Sequence, residues 1–358
     1  MTTSETNSID EAKLGAFVGQ AVTDMGAAIS GLLLYIGDRL GLYKAMAGAG
    51  PVTAAQLAAR TGTAERYVRE WLGNQAAGGY VSYDPVAGTF ELPAEQAMVV
   101  ANEDSPVFLP GAFEVIASCY TDHERFVEAF RTGAGVGWHE HDDRLFSGVH
   151  RFFRPGYAAH LVNSWLPALD GVVGKLRIGA SVADVGCGLG ASTIIMAQAF
   201  GRSTFLGADS HEGSVISARK AAEEAGVAQR TRFETASAKD FPGSGYDLVC
   251  MFDCLHDMGD PVGAARHARR ALAPDGTLLL VEPMAGDSVE DNLNPVGRVY
   301  YGLSTVICTP GSLDQEVALG LGAQAGQQQL GEVLREAGFS RVRLATQTPF
   351  NLILEARP

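Results

Sequence analysis

The chain has 358 residues, 46% of them hydrophobic and 19% charged, with a formal net charge of −14 at neutral pH. That length is comfortable for two domains, and the apolar fraction is enough for two cores. The excess of acid argues against unaided attraction to nucleic acid or anionic lipid.

The opening residues MTTSETNSIDEAK are polar, read as frayed, and lack the basic and apolar segments of a secretory signal. No run of about 18 uncharged apolar residues stands outside recognisable core segments, so no membrane partner is expected and the cytoplasm is the expected compartment. Cys119, Cys187, Cys250, Cys254 and Cys308 are scattered, odd in number and without C-x-x-C spacing, which reads as reduced and mostly buried.

From about Glu11 to Ala47 the pattern is helical, with the apolar run Leu32 to Ile36. Two further helices follow in PVTAAQLAARTG and TAERYVREWLGNQAAGGY, with Thr53 and Thr63 as candidate N-caps and Gly62 and Gly78 as stops. VSYD-PVAG-TFEL then alternates as a hairpin. Three helices and a hairpin give winged-helix order over residues 11–105. DNA binding by this module is disfavoured, because Glu65, Arg66, Arg69 and Glu70 nearly cancel and the wing carries Asp84 and Glu91 without Lys or Arg. A dimerisation role through the apolar faces of residues 12–47, giving a homodimer, is the expectation instead.

Residues 106–165 read as a linking helical region lining a pocket. It contains WHEHDD, Trp138 to Asp143, with His139 and His141 flanking Glu140. That i, i+2 pair can face one side of a strand, but no partner elsewhere is indicated by spacing, so no metal is expected. From residue 166 to 358 strands and helices alternate: VADVGC, STFLGAD, TRFETAS, YDLVCMFDC and GTLLLVEP are the strands, and FSRVRLATQT with NLILEARP forms a closing hairpin. The fold class expected is α/β, a parallel sheet covered on both faces with a C-terminal antiparallel hairpin, after a mainly α winged-helix domain.

The most informative stretch is VADVGCGLG, an apolar strand running into a glycine turn that opens a helix. Gly186, Gly188 and Gly190 leave the backbone bare where a ligand must approach. Asp209, ending the next strand, lies where an acid reaches ribose hydroxyls. Gly186, Gly188 and Ala191 also satisfy the dinucleotide pattern G-x-G-x-x-A, so an NAD-dependent oxidoreductase stays open at this point. An acid two residues before the first glycine suits a cationic ligand better than a pyrophosphate.

Asp184, Gly186, Gly188 and Gly190 resemble motif I of class I S-adenosylmethionine (SAM) methyltransferases, D/E-x-G-x-G-x-G. The stretch LHDMGDPVGAARHARRALAPDGTLLLVEP resembles a segment of winged-helix small-molecule O-methyltransferases. The resemblance implies a Rossmann-like methyltransferase fold, SAM as cofactor and a small-molecule acceptor. It implies that His256 deprotonates the acceptor hydroxyl, that Glu282 orients His256, and that Ser237 and Ala238 contact adenine, with Asp209 and Ser210 on the ribose edge. Phe252, Asp253, Leu255 and His256 follow the fourth strand and point to the crevice beyond the strand ends. RFFRPGY is similar in position to an aromatic stretch covering the cofactor, making Phe153, Arg154 and Tyr157 candidates to pack on the sulfonium.

Residues 286–325 read as a lid insertion, with a helix begun after Pro295. Trp138, His139, Arg154, Arg298 and Tyr301 are the candidate acceptor-pocket residues. With imidazole near pKa 6.5 and a phenol near 10, proton transfer to histidine is uphill by about 3.5 units, roughly 5 kcal/mol. For an aliphatic alcohol the gap is about 9 units, roughly 12 kcal/mol. A histidine base therefore suits phenols, enols or carboxylic acids. Methyl transfer to N, S or C, and a SAM-binding winged-helix transcription regulator, are the alternatives.

Overall fold

The computed structural model describes residues 9–358, so most of the polar opening segment lies outside the described residues. The chain divides into two compact units, one ending at Ala117 and the other running from Ser118 to Pro358. The expected linking region 106–165 spans that division. Its first part belongs to the first unit and its remainder to the second.

In the first unit, α1 (Glu11–Arg39) starts at Asp10, whose carboxylate accepts the Ala12 and Lys13 N–H groups at 3.0 and 3.1 Å. It is followed by α2 (Leu42–Met46), α3 (Ala54–Thr61) and α4 (Glu65–Ala77). Thr53 and Gln56 form a reciprocal cap at the start of α3, and Gly62 ends it at φ +66°. Thr63 does not cap α4. Its hydroxyl bonds Thr61 at 2.8 Å and Ala64 takes the cap position. The wing is β1 (Ser82–Asp84) antiparallel to β2 (Thr89–Glu91), extended by a bridge between Val52 and Phe90, and α5 (Ala94–Val100) follows it. Leu34, Leu42, Tyr43, Met46, Leu57, Val68, Trp71 and Leu72 make the core, where Trp71 donates to the Leu33 carbonyl at 2.9 Å and Tyr43 to Gln75 at 2.5 Å.

Two surface features of this unit bear on partners. On α4, Arg66 pairs with Glu70 and Arg69 with Glu65, each at 2.5 Å, so the cations of the would-be recognition helix are satisfied within it. On α1, Val18, Val22, Met25, Ile29, Leu32 and Ile36 recur at alternating steps of four and three and are all exposed. By length and composition α1 could cross a membrane. Those six apolar residues share one exposed face of α1 at helical spacing.

Helix α6 (Pro110–Thr121) runs across the division between the units. The second unit continues with α7 (His123–Thr132), α8 (Arg144–His160) and α9 (Val172–Ile178). A parallel α/β layer follows: β3 (Ser181–Val185), α10 (Ala191–Ala199), β4 (Thr204–Asp209), α11 (Glu212–Glu224), β5 (Thr231–Thr235), β6 (Tyr246–Phe252), α12 (Pro261–Ala271) and β7 (Leu272–Pro283). Next come α13 (Pro295–Leu303), a π-helical turn over Ser304–Cys308, α14 (Thr309–Leu313), α15 (Gly326–Glu336), β8 (Arg341–Gln347) and β9 (Asn351–Arg357).

The sheet order is β5-β4-β3-β6-β7-β9-β8, with β9 antiparallel to both β7 and β8. The order reverses at β3: the chain moves outward to β4 and β5, then returns to β6 on the other flank. That switch opens a crevice at the strand carboxyl ends, where open α/β sheets bind ligands. Apolar clusters cover both faces, one around Trp165, Met196 and Phe205, the other around Met251, Leu280 and Leu334.

Candidate active site

A cavity of about 280 Å³ lies at the switch point, walled by the segments that follow β3, β4, β5 and β6 and by residues of α8. Its floor is the turn after β3. Gly186 has φ +75°, and a side chain there would bring a Cβ to 2.7 Å from Cys254 Sγ. Gly188 has φ +51° and nothing within 4 Å of the position a Cβ would take. The first glycine lets the loop pack on the segment after β6; the second keeps bare backbone facing the cavity.

Asp184 is fully buried in β3 and is not on the cavity wall. One of its oxygens accepts from the hydroxyls of Ser192 and Thr193, both at 2.6 Å, tying the strand end to the first turn of α10. The other oxygen has no hydrogen-bond partner. Burial pushes this carboxyl up to about 6 against the pull of Ser192 and Thr193. Asp209 is on the wall and accepts the Gly188 N–H at 2.8 Å and the His211 N–H at 2.9 Å. Burial raises its pKa against those two donors. Ser210, Ser237 and Ala238 also line the cavity, Ser237 held by Asp240 at 2.8 Å through both its N–H and hydroxyl. Gly190 is the N-cap of α10 and stands off the wall.

Helix α8 contributes a stripe at helical spacing: Phe146, Val149, His150, Phe153 and Tyr157. Tyr157 and Phe252 rings meet at 5.4 Å, and Phe146 stacks on His211 at 4.4 Å. Burial lowers the His150 pKa, helped by the charge of Arg154. Trp138 is on the wall, whereas His139 and Arg154 are exposed and off it. Arg154 follows Phe153 on the helix and so projects away from the face that Phe153 and Tyr157 share. Arg298 and Tyr301 are likewise exposed and off the wall; on α13 it is Tyr300 that turns inward, donating to the Phe350 carbonyl at 2.9 Å. The segment 286–325 supplies its wall residues later, through Ile307, Gly311, Gln315 and Glu316. WHEHDD does not converge on a point. Glu140 accepts the Gly137 N–H at 2.8 Å, His141 is buried near Asp122 at 3.5 Å, and Asp142 pairs with Arg144 at 2.6 Å.

His256 sits in a 3-10 turn, Leu255–Asp257, directly behind the wall. Its Nδ1 bonds Glu282, whose other oxygen accepts the Leu255 N–H at 2.9 Å. Its Nε2 lies 3.0 Å from Asp257 Oδ1. Burial opposes a charge on the ring, but Asp257 and Glu282 outweigh it and lift the pKa well above 6.5. Asp257 and Met258 line the cavity; His256, Glu282 and Leu255 do not.

One wall residue was given no role by its sequence position. Asp253, just past β6, has φ +50°, accepts from Tyr157 Oη at 2.9 Å and from Asn351 Nδ2 at 3.0 Å, and lines the cavity. The sequence signal was an acid following seven strand residues; the donors that hold it come from α8 and β9, far away in the chain.

Residues 27–102 match the Rv2258c-like winged HTH domain and residues 183–278 a methyltransferase domain. The chain is 35% identical over 183 residues to 27-O-demethylrifamycin SV methyltransferase of Amycolatopsis mediterranei (strain S699), covering 48% of this chain and 65% of that one. It is 35% identical over 162 residues to O-demethylpuromycin-O-methyltransferase of Streptomyces alboniger, covering 42% of this chain and 38% of that one. Human N-acetylserotonin methyltransferase in complex with SAM is similar in structure, with TM-score 0.67 and 17% identity over 100% of this chain and 99% of that one. The fold is therefore that of the class I methyltransferases. The chain is a winged-helix domain followed by a methyltransferase domain, and it spans less than two thirds of the length of the two curated relatives.

Proposed function

We propose that this protein is a SAM-dependent methyltransferase acting on a hydroxyl oxygen of a small molecule. The observation that carries the reading is the cavity itself: side-chain-free backbone at Gly188 faces it beside Asp209, at the switch point of a methyltransferase-type sheet. The residues present fit the cofactor. The donor set is acidic, as a sulfonium and an ammonium require, and the enclosing rings of Tyr157 and Phe252 suit an onium group.

SAM supplies an electrophilic methyl group when bound. Gly186 and Gly188 receive its methionine end, with Asp184 bracing the loop through Ser192 and Thr193. Asp209 and Ser210 take the ribose hydroxyls, and Ser237 and Ala238 flank the adenine. Excluding water and holding the acceptor in line contribute most of the rate, since effective molarities reach about 10⁵ to 10⁸ M.

His256 is the proposed base and Glu282 its anchor. The acceptor hydroxyl displaces Asp257 from Nε2 and gives its proton to that nitrogen. The two carboxylates that raise the ring's pKa shrink the gap to a phenol, by about 1.4 kcal/mol for each unit. They also keep the ring protonated at low pH, so activity should rise with pH. General-base action of this kind is worth about 10²- to 10⁴-fold.

The α1 stripe is proposed to pair with the same stripe of a second copy, giving a homodimer. With the α4 cations paired internally, DNA is not the proposed partner of the winged helix. Calorimetric titration with SAM, S-adenosylhomocysteine and NAD tests the central reading. Heat is expected from the two adenosyl ligands and not from NAD. No heat from either adenosyl ligand removes the methyltransferase reading altogether.

A further inference from the structure

We propose that Asp253 is the counter-ion for the donor's positive sulfur, and that through it the site binds the charged donor in preference to the neutral thioether left after transfer. The inference rests on the SAM reading above.

Position comes first. β6 runs parallel to β3 with Val185 opposite Met251, so Asp253 leaves the sheet beside Gly186. On the other flank of β3, Val185 lies opposite Ala208, one residue before Asp209. The glycine turn is thus bracketed by two wall acids. With Asp209 on the ribose and the turn on the methionine end, the sulfur that joins those parts belongs to the stretch of wall Asp253 shares.

The fold holds this carboxyl in place at a cost. A non-glycine residue at φ +50° is in the left-handed region, which asparagine and aspartate tolerate better than most. Its N–H donates to the Val281 carbonyl at 2.7 Å, while Tyr157 and Asn351 grip its two oxygens. Around it stand Phe252 and Tyr157, with Phe153 stacked 6.0 Å from Tyr157. An acid among ring faces is a receptor for a soft, weakly hydrated cation.

Charge supplies the discrimination. Burial first, then the carboxylate of Glu282, push the Asp253 carboxyl up to about 8; the bond from Tyr157 and the charge of His256 pull the other way, and Asp257 adds to the rise. The neighbouring groups Cys254, Asp184 and Tyr300 bring no compensating cation. At neutral pH about nine-tenths of the molecules would carry this proton. A sulfonium arriving beside the carboxyl favours its ionised form, so the proton leaves to solvent as the ion pair forms. Once the methyl has gone to the acceptor, the sulfur is neutral and the carboxylate takes a proton back, which weakens its hold on the product.

The test needs no acceptor. SAM and S-adenosylhomocysteine are titrated into the full-length protein at pH 7 in phosphate and in Tris, whose ionisation enthalpies differ, so the heat difference counts protons. SAM binding is expected to release close to one proton more than S-adenosylhomocysteine binding. Asp253→Asn is expected to abolish that difference and to cut the preference for SAM at least tenfold. Equal proton release by the two ligands in the unaltered protein overturns the assignment, even if the variant fails to fold. An unchanged preference in a folded Asp253→Asn variant does the same. Absence of binding by both ligands sinks the SAM reading instead, so the two failures are told apart.

Discussion

Gly186 offers a change whose cost can be worked from the structure. Alanine there must hold φ +75° and place its Cβ 2.7 Å from Cys254 Sγ and 3.0 Å from Cys254 Cβ. The left-handed backbone costs roughly 1–2 kcal/mol for an L side chain, and forcing an extra methyl into a packed contact about 1–3 kcal/mol. Together about 2–5 kcal/mol should be lost. For a unit of this size each kcal/mol moves the melting temperature by about 2–4 °C, so Gly186→Ala should melt some 4–20 °C lower by calorimetry. The double variant Gly186→Ala/Cys254→Ala removes the 2.7 Å contact with Sγ but leaves the 3.0 Å approach to the Cβ of residue 254 and the backbone strain. It should melt above the level expected from adding the two single losses, a coupling of about 1–3 kcal/mol. Gly188→Ala, with φ +51° and open space, should lose only the backbone part, while its methyl enters the cavity and weakens SAM binding. If Gly186→Ala melts with the unaltered protein, or the double variant shows no coupling, the close packing of the turn on the segment after β6 is wrong.

Three further outcomes follow from the same geometry. Asp184 folds with its carboxyl near 6, above the unfolded value of about 3.9, so its contribution falls as pH rises through that window, by about 3 kcal/mol in all. Asp184→Asn should therefore gain stability relative to the unaltered protein between pH 4 and pH 7 (on the order of that figure), read from urea midpoints; a constant difference across pH refutes it. Glu282→Gln removes one of the two carboxylates that raise His256, so the ring's titration followed by NMR should move to lower pH. The acid limb of activity should move with it, because the neutral ring is the active base, and a titration that stays put contradicts the ion-pair account. Finally, Val22→Asp with Ile29→Asp places charge in the α1 stripe and should give a monomer by sedimentation with its methyltransferase unit still folded. A dimer that persists would place the subunit contact elsewhere.

The architecture was legible because strand and helix periods alternate cleanly after Val182, and because Thr53 and Gly62 punctuate the helices where side-chain caps and positive φ are needed. The cavity floor was legible in part: of the three glycines in five residues, Gly186 and Gly188 face the cavity, while Gly190 caps α10. Side-chain direction was not. On α13 no apolar period distinguished Tyr300 from Tyr301, and only the packed chain shows which of them reaches the Phe350 carbonyl. The stretch RFFRPGY groups Arg154 with Phe153 and Tyr157, yet one step along a helix turns a side chain by about 100°. His256 lies off the cavity wall, and Asp257 standing on the wall beside it depends on the closing turn and carries no sequence period.

Asn351 opens β9, which follows every other strand of this sheet in the chain, and it grips an acid 98 residues earlier. β9 also enters the sheet between β7 and β8 instead of adding at an edge. A nascent chain emerging from the ribosome can therefore assemble its five parallel strands and its glycine turn while the Asp253 carboxyl still lacks one of its two side-chain donors. Ligand competence should arrive late and all at once, as an event of long-range closure, and a chain stalled before β9 should fold partway without gaining a functional pocket.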